Sequence, residues 1–315
     1  MTKHSPAVIH MLAGVTASGK SKFSLQLAEE MNAVILSCDS IAVYQGMDIG
    51  SAKPGKDAQS KVPHYGIDLV DVESVFSVAD YKDYAAKVIE ELSRQEISVL
   101  VTGGSGFYLQ SFISPVVDEV EVTEEVKNQV EQVYLKENLR GMLAELKRLN
   151  PQGLGELDIL NPRRVMRGLE RCIASGKTIL ELKKDFEGLP LPFPKSDKKI
   201  IWLDRGNEDL EKRIADRTEI MLSNGLLEET ENLVARGIQR NSPASNSVGY
   251  RECIACLNGE LNREQLPDAI NYSTRRLVAK QRKWFRKHLG MESRIILGKE
   301  NEISDPKKWN WARCT

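Results

Sequence analysis

Gly14-Val15-Thr16-Ala17-Ser18-Gly19-Lys20-Ser21 carries two glycines, a lysine and a hydroxyl at the spacing of a phosphate-binding loop. The residue types suit that chemistry. Gly14 and Gly19 permit backbone angles that turn successive N–H groups around an anion. Lys20 adds a point charge, the helix starting near it adds its positive end, and the Ser21 hydroxyl can ligate magnesium. The apolar run Val8, Ile9, Met11 and Leu12 just before the loop reads as a buried strand, the setting that separates a phosphate loop from an ordinary glycine turn. A polyphosphate ligand follows; whether it is ATP stays open.

Three further groups could serve the same edge. Asp39 leaves the second strand at the end where open α/β sheets bind ligands, and it can hold magnesium, bind a ribose, act as a base or cap the next helix. Gly103-Gly104-Ser105-Gly106 lacks dinucleotide-fingerprint spacing, so it offers either N–H groups and the Ser105 hydroxyl or a plain strand-to-helix turn. Arg213 and Arg217 stand one helical turn apart, as a clamp for anionic oxygens or as surface ion pairs with Glu211 or Asp216. Residues Asn271–His288 hold Arg275, Arg276, Lys280, Arg282, Lys283, Arg286 and Lys287 with no acid. Such one-signed charge on a helix is a nucleic-acid footprint, whereas a solvated face usually mixes signs. A smaller cluster is Arg163, Arg164, Arg167 and Arg171. Ser175-Gly176-Lys177-Thr178 imitates a phosphate loop, but Arg171 stands where the first glycine belongs, so it reads as a helix C-cap. Cys253 and Cys256 read as small helix residues one turn apart, since no second pair accompanies them.

These groups need elements to carry them. Short unalternated runs at Val8–Leu12, Val34–Ser37, Ile67–Val70 and Ile97–Thr102 alternate with helical stretches at Ser21–Met31, Val78–Arg94 and Phe107–Ile113. The pattern predicts an α/β fold, a P-loop NTPase-like parallel sheet flanked by helices, with an inserted helical domain. Residues 1–117 form the first part of that core. Residues 118–198 form the insertion, with helices over Thr123–Leu149 and Asn161–Ser175 and a stiff connector at Gly188–Pro194. Residues 199–315 resume the core with a strand at Lys199–Asp204, helices at Asn207–Asn224, Leu226–Ala235, Ser247–Leu257 and Arg263–His288, and a last strand at Arg294–Leu297. The chain has 315 residues, 41% hydrophobic and 28% charged, which suits a soluble globular protein. A net charge of −1 excludes a globally basic binder of nucleic acid but not a local patch. No run reaches the roughly 18 apolar residues of a membrane span, the N-terminus is not of signal-peptide type, and five scattered cysteines suit a reducing cytoplasm.

The motifs GVTASGKS (Gly14–Ser21), DSIAVY (Asp39–Tyr44), MDIGSAKP (Met47–Pro54), GGSGFY (Gly103–Tyr108), SGKTILEL (Ser175–Leu182), SVGYR (Ser247–Arg251) and TRRLVAKQRKWFR (Thr274–Arg286) together resemble the tRNA dimethylallyltransferases, or tRNA isopentenyltransferases. The likeness runs in order and spacing from about Val8 to Leu289. It implies transfer of a dimethylallyl group from its diphosphate to the exocyclic amine of the adenosine just 3′ of the anticodon, with release of pyrophosphate.

In that reading Gly14, Val15, Thr16, Ala17, Ser18, Gly19, Lys20, Ser21 and Arg217 hold dimethylallyl diphosphate, with Mg²⁺ on Ser21. Asp39 takes the amine proton, and Lys20, Ser105 and Arg213 complete the catalytic set. The tRNA anticodon stem-loop, its adenosine flipped out, meets Asp39, Ser40, Ile41, Ala42 and Ser105 at the site and Arg163 and Arg164 on the insertion. Gly249, Tyr250 and Arg251, then Lys280, Gln281, Lys283, Trp284 and Arg286, supply the remaining RNA contacts. The expected enzyme is cytoplasmic and monomeric. Against the family pattern, Ser105 stands for threonine, Val15 for proline, Lys280 for arginine and Asn161 for aspartate; Lys280 keeps charge but loses the bidentate fork. An adenylate isopentenyltransferase or a P-loop kinase of a small metabolite would share the loop, but neither needs the insertion or the basic helix.

Overall fold

A run such as Ala33–Cys38, AVILSC, offers no polar face, so a strand made from it must be covered on both sides. The computed structural model meets that requirement. It describes residues 8–194, 196–298, 309 and 311–313; Cys314, the N-terminal residues 1–7 and most of the tail after Glu300 lie outside the described residues. Contacts divide the chain into two units, Met1–Ser114 with Pro192–Thr315, and Pro115–Leu191.

The first unit runs β1 (Val8–Gly14), α1 (Lys20–Glu30), β2 (Ala33–Cys38), α2 (Lys56–Lys61), β3 (His64–Tyr65), α3 (Val78–Arg94), β4 (Ser98–Gly103) and α4 (Gly106–Ile113). The second unit holds α5 (Glu124–Leu149), α6 (Pro162–Ser175) and α7 (Ile179–Glu187). The first then resumes with β5 (Asp197–Arg205), α8 (Asn207–Ser223), α9 (Leu226–Ala235), α10 (Ser242–Ser245), α11 (Tyr250–Leu257), α12 (Leu266–His288), β6 (Arg294–Leu297) and β7 (Ala312–Arg313).

The strands lie in the order β3-β2-β4-β1-β5-β6, all parallel, with β7 antiparallel on β5. Alternate residues feed two cores. Met11, Val34, Leu36, Val99, Val101, Ile200 and Trp202 face one, while Leu12, Ile35, Leu100, Ile201 and Leu203 face the other, under α1. Register then decides where chemistry can happen. Gly103 lies opposite both Ala13 and Cys38, and Gly14 opposite Leu203, so β1, β2 and β4 end within one residue of each other and β5 runs two residues further. Everything that follows those ends shares one edge of the sheet.

Three expectations change. Ile67–Val70 is not a strand: Gly66 and Asp68 take positive φ of 79° and 52°, which breaks extension. His64–Tyr65 pairs with β2 instead, and Val70 makes only a single bridge to Tyr44. The stretch Thr123–Leu149 is two helices, because Asn138 at φ 54°, ψ −154° interrupts α5. The sequence reading also overlooked α2 and α7. By contrast, Gly176 ends α6 in the left-handed conformation, and Thr178 with Glu181 forms a capping box that starts α7, so Ser175–Thr178 is a helix-to-helix joint.

The second unit has its own core of Val130, Met142, Leu146, Val165, Leu169, Cys172 and Leu182. Buried Asn150 donates to the Leu146 carbonyl at 2.7 Å and accepts the Ile179 N–H at 2.6 Å, joining the end of α5 to the start of α7.

In the first unit, α12 is fastened to the sheet by charge. Asp204, fully buried at the end of β5, accepts from Arg282 Nε at 2.9 Å, from Arg294 Nη2 at 2.5 Å and from the Arg205 N–H at 2.8 Å. Arg282 therefore belongs to the fold and leaves the exposed basic face. Removing the carboxylate would strand two guanidinium groups, a change that costs roughly 3–5 kcal/mol. Asp204→Ala should lose stability of that order in urea unfolding; a loss under about 1 kcal/mol would contradict the role given to this carboxylate.

Candidate active site

Between β1 and α1, Ala17 and Gly19 take positive φ of 62° and 92°, the kind of backbone that curls into an anion-sized concavity. Side chains from three other elements hold this loop. Arg205 Nε donates to the Ser18 carbonyl at 2.7 Å, Arg213 Nε to the Ala17 carbonyl at 2.8 Å, and Gln281 Oε1 accepts the Thr16 N–H at 2.9 Å. The N–H groups of Gly19, Lys20 and Ser21 lie at the start of α1, where no intrahelical carbonyl exists for them. The Ser18 hydroxyl is buried without a partner among the described residues.

A cavity of about 600 Å³ opens beside the loop. Its walls are Val15–Lys22, Asp39, Ala42, Ser51–Pro54, Thr102, Gly103, Arg213, Asp216 and Arg217. Lys20, Arg213 and Arg217 reach it with no ion pair among the described residues, so the alternative of surface pairing with Glu211 or Asp216 does not hold. Burial holds the Lys20 amine below its ordinary value; Asp39 opposes that shift and Arg217 adds to it. Burial likewise lowers Arg217, again opposed by Asp39. The cavity is thus a desolvated site with surplus positive charge, which an anion would relieve.

Asp39 does not cap a helix, since the residues after it form a turn and α2 begins only at Lys56. The Asp39 Oδ1 accepts the N–H of Ile41 at 2.8 Å and of Ala42 at 3.4 Å, capping the turn, while the residue lines the cavity. No described donor bonds its Oδ2. The carboxylate is therefore oriented by one oxygen and available through the other.

Ser105 stands at the start of α4, where its hydroxyl accepts the Ser40 N–H at 3.0 Å and donates to Ser40 Oγ at 3.2 Å. It fastens the Asp39 turn to the β4 loop. The glycines around it answer to packing: a Cβ on Gly103 would sit 2.0 Å from the Cys38 carbonyl oxygen, and one on Gly106 2.6 Å from the Trp284 indole.

The residues expected to meet RNA divide. Lys280, Lys283 and Arg286 are exposed on α12, beside Lys287, with no ion pair among the described residues. Arg163 and Arg164 are exposed at the start of α6, which Asn161 caps through the N–H groups of both; Arg164 meets Asp158 at 3.4 Å. Ser40 and Ile41 are half-buried in the Asp39 turn. Tyr250 is corrected: it is fully buried, its hydroxyl donating to Glu229 at 2.6 Å, and offers RNA no side-chain surface. Ala42 is buried too, its N–H on Asp39 and its carbonyl taken by the Asp68 N–H at 3.0 Å. The Gly249 N–H goes to Glu252 at 2.8 Å, and Arg251 pairs with Glu252 and with Ser273 at 2.9 Å. Trp284 stacks on His288 at 4.5 Å and packs over Gly106, and Gln281 is engaged with the phosphate loop.

Sequence reasoning missed Lys53 and Arg205. Lys53 Nζ, nearly buried, holds the Tyr44 carbonyl at 2.9 Å and Asp48 and Asp68 at 2.6 Å each, which shapes the cavity wall at Ser51–Pro54. Its signal was its place in MDIGSAKP. Arg205 carried none, since its bond to Ser18 spans 187 residues.

Among the described residues no group of three or more His, Cys, Asp or Glu could hold a metal ion. Ser21 and Asp39 are among the oxygen-bearing residues that line the cavity.

Comparison with known proteins gives a consistent result. The family described as IPP transferase matches residues 42–288. A tRNA dimethylallyltransferase from Opitutus terrae is 43% identical over 287 residues, 91% of this chain and 92% of that protein. The solved structure of a tRNA isopentenylpyrophosphate transferase from Bacillus halodurans aligns with a TM-score of 0.67 at 28% identity, covering 94% of this chain and 93% of that one. A eukaryotic dimethylallyltransferase acting on tRNA shares the fold, with a TM-score of 0.80 at 23% identity over 96% of this chain and 76% of that one.

The lowered Lys20 has a consequence for stability. Between its folded value and about 10.4 the unfolded chain binds the extra proton, so this residue makes stability rise with pH across that window. Lys20→Met should raise the thermal midpoint of the ligand-free protein at pH 7, and the advantage should shrink toward pH 10 as the native lysine loses its proton. A lower midpoint for the variant at pH 7 would contradict the desolvated cation.

Proposed function

This chain belongs to the IPP transferase family and transfers a dimethylallyl group to tRNA; we propose that the cavity beside Gly14–Ser21 holds dimethylallyl diphosphate and that Asp39 takes the proton from an adenosine amine. The observation that carries this reading is the convergence of Lys20, Arg213 and Arg217, without ion-pair partners, on a cavity that also contains the Asp39 carboxylate.

The chemistry demands both halves. An exocyclic adenine amine is a weak nucleophile, because its lone pair is delocalised into the ring. Attack on the allylic carbon forms a C–N bond as the C–O bond to the diphosphate breaks, and the electron pair leaves with pyrophosphate. Lys20, Arg213 and Arg217, with the N–H groups of Gly19, Lys20 and Ser21, stabilise that charge where it accumulates. The amine proton passes to Oδ2 of Asp39, whose Oδ1 stays on the N–H groups of Ile41 and Ala42. Magnesium held by Ser21 would supply further charge neutralisation on the leaving group.

On the acceptor side, Lys280, Lys283, Arg286 and Lys287 form the proposed track for RNA phosphates, and Arg163 and Arg164 a second contact. The adenosine beside the anticodon would flip out of its stack to reach Asp39. No helix among the described residues is long and apolar enough to cross a membrane. Cys38, Cys172, Cys253 and Cys256 are free thiols, which fits the proposed work in a reducing cytoplasm.

Mass analysis of bulk tRNA incubated with the protein, dimethylallyl diphosphate and Mg²⁺ tests the assignment. Nuclease digests should show one adenosine heavier by a dimethylallyl group, in place of a hydrogen. Gain on free AMP with none on tRNA would replace the reading with transfer to a nucleotide.

A further inference from the structure

Gln281 sits on α12 between Lys280 and Lys283, the cations proposed above for RNA, yet its carboxamide faces inward. Its Oε1 accepts the Thr16 N–H at 2.9 Å, and its Nε2 donates to the Gly104 carbonyl at 3.1 Å. One side chain thus joins the phosphate loop after β1, the glycine-rich turn after β4 and the helix that presents the cationic face. The space for it is specific, since a Cβ on Gly104 would lie 2.7 Å from Gln281 Nε2. The helix is fixed to the same edge one residue later, where Arg282 reaches Asp204 and the Arg205 carbonyl at 2.7 Å. Arg205 in turn grips the Ser18 carbonyl.

We propose that Gln281 is a positioning residue that couples RNA seating on α12 to diphosphate binding in the phosphate loop. The inference rests on the functional reading above, and its physical basis is order. Thr16 lies within the loop Gly14–Ser21, and the loop must be fixed for its N–H groups to converge on an anion. RNA phosphates on Lys280 and Lys283 restrain the turn of α12 that carries Gln281, and the carboxamide passes that restraint to Thr16. The diphosphate then binds a loop already ordered, so less conformational entropy is lost on binding. By linkage the effect is reciprocal, and the diphosphate tightens RNA by the same factor.

The test measures the affinity of the full-length protein for inorganic pyrophosphate with Mg²⁺, without and then with a saturating anticodon stem-loop RNA. RNA should tighten pyrophosphate binding by roughly 5- to 150-fold in the native protein, and by about 1-fold in Gln281→Met, although each ligand alone still binds the variant. Hydrogen exchange gives a second readout that a merely structural role would not move. RNA alone should slow exchange in a peptide spanning Gly14–Ser21 in the native protein and not in Gln281→Met. Equal coupling in the two proteins, or none in the native one, would overturn the proposal while leaving the functional reading intact. Failure of the native protein to bind either ligand would overturn that reading and the proposal with it.

Discussion

The buried carboxylate of Asp204 fixes the geometry on which the rest of the site relies. It lies at the end of β5, out of water, where only a complete set of partners makes a charge tolerable. Arg294 and the N–H of Arg205 satisfy it from the sheet, and Arg282 satisfies it from α12. Two consequences follow from neighbouring positions. Arg205 is placed to hold the Ser18 carbonyl, and Gln281, next to Arg282, is placed to hold the Thr16 N–H. The phosphate loop is therefore held at Thr16 and Ser18 by residues whose positions one buried anion sets. Burial of the Lys20 amine beside that loop comes at a cost in stability.

Strand register does the remaining assembly. Because Cys38, Ala13 and Gly103 share a register, Asp39 emerges beside the phosphate loop without a long connecting segment. Its turn is then closed by its own Oδ1 and by the Ser105 hydroxyl bonded to Ser40. Cations line the cavity where pyrophosphate would depart, and the Asp39 carboxylate borders it where a proton would be released. That division is what substitution at an allylic carbon by a weak amine needs from a protein: charge on the leaving side and a base on the incoming side.

What the sequence revealed follows how local each signal is. The phosphate loop, the Asn161 cap and the Gly176 joint are set by residues within a few positions of one another, and each was legible. Buried strands were legible too, since an unbroken apolar run such as Val99–Val101 has few alternatives. Ile67–Val70 looked the same, but Gly66 and Asp68 turned the chain and gave the edge of the sheet to His64–Tyr65. Long-range pairing left no local trace. Nothing near Tyr250 shows that its hydroxyl meets Glu229, and nothing near Arg282 shows that it meets Asp204 rather than RNA. The motif glycines at Gly103 and Gly106 were readable as important. Their reason, close approach by Cys38 and Trp284, required the fold.

The claim that Asp39 is the base while the loop cations hold the leaving group separates most cleanly in Asp39→Asn. The amide keeps an oxygen for the Ile41 and Ala42 N–H groups but cannot accept the amine proton. Single-turnover transfer to tRNA, with saturating enzyme and dimethylallyl diphosphate, should slow by about 10²- to 10⁴-fold, while dimethylallyl diphosphate binding changes by less than about tenfold. Transfer at the native rate would contradict the account.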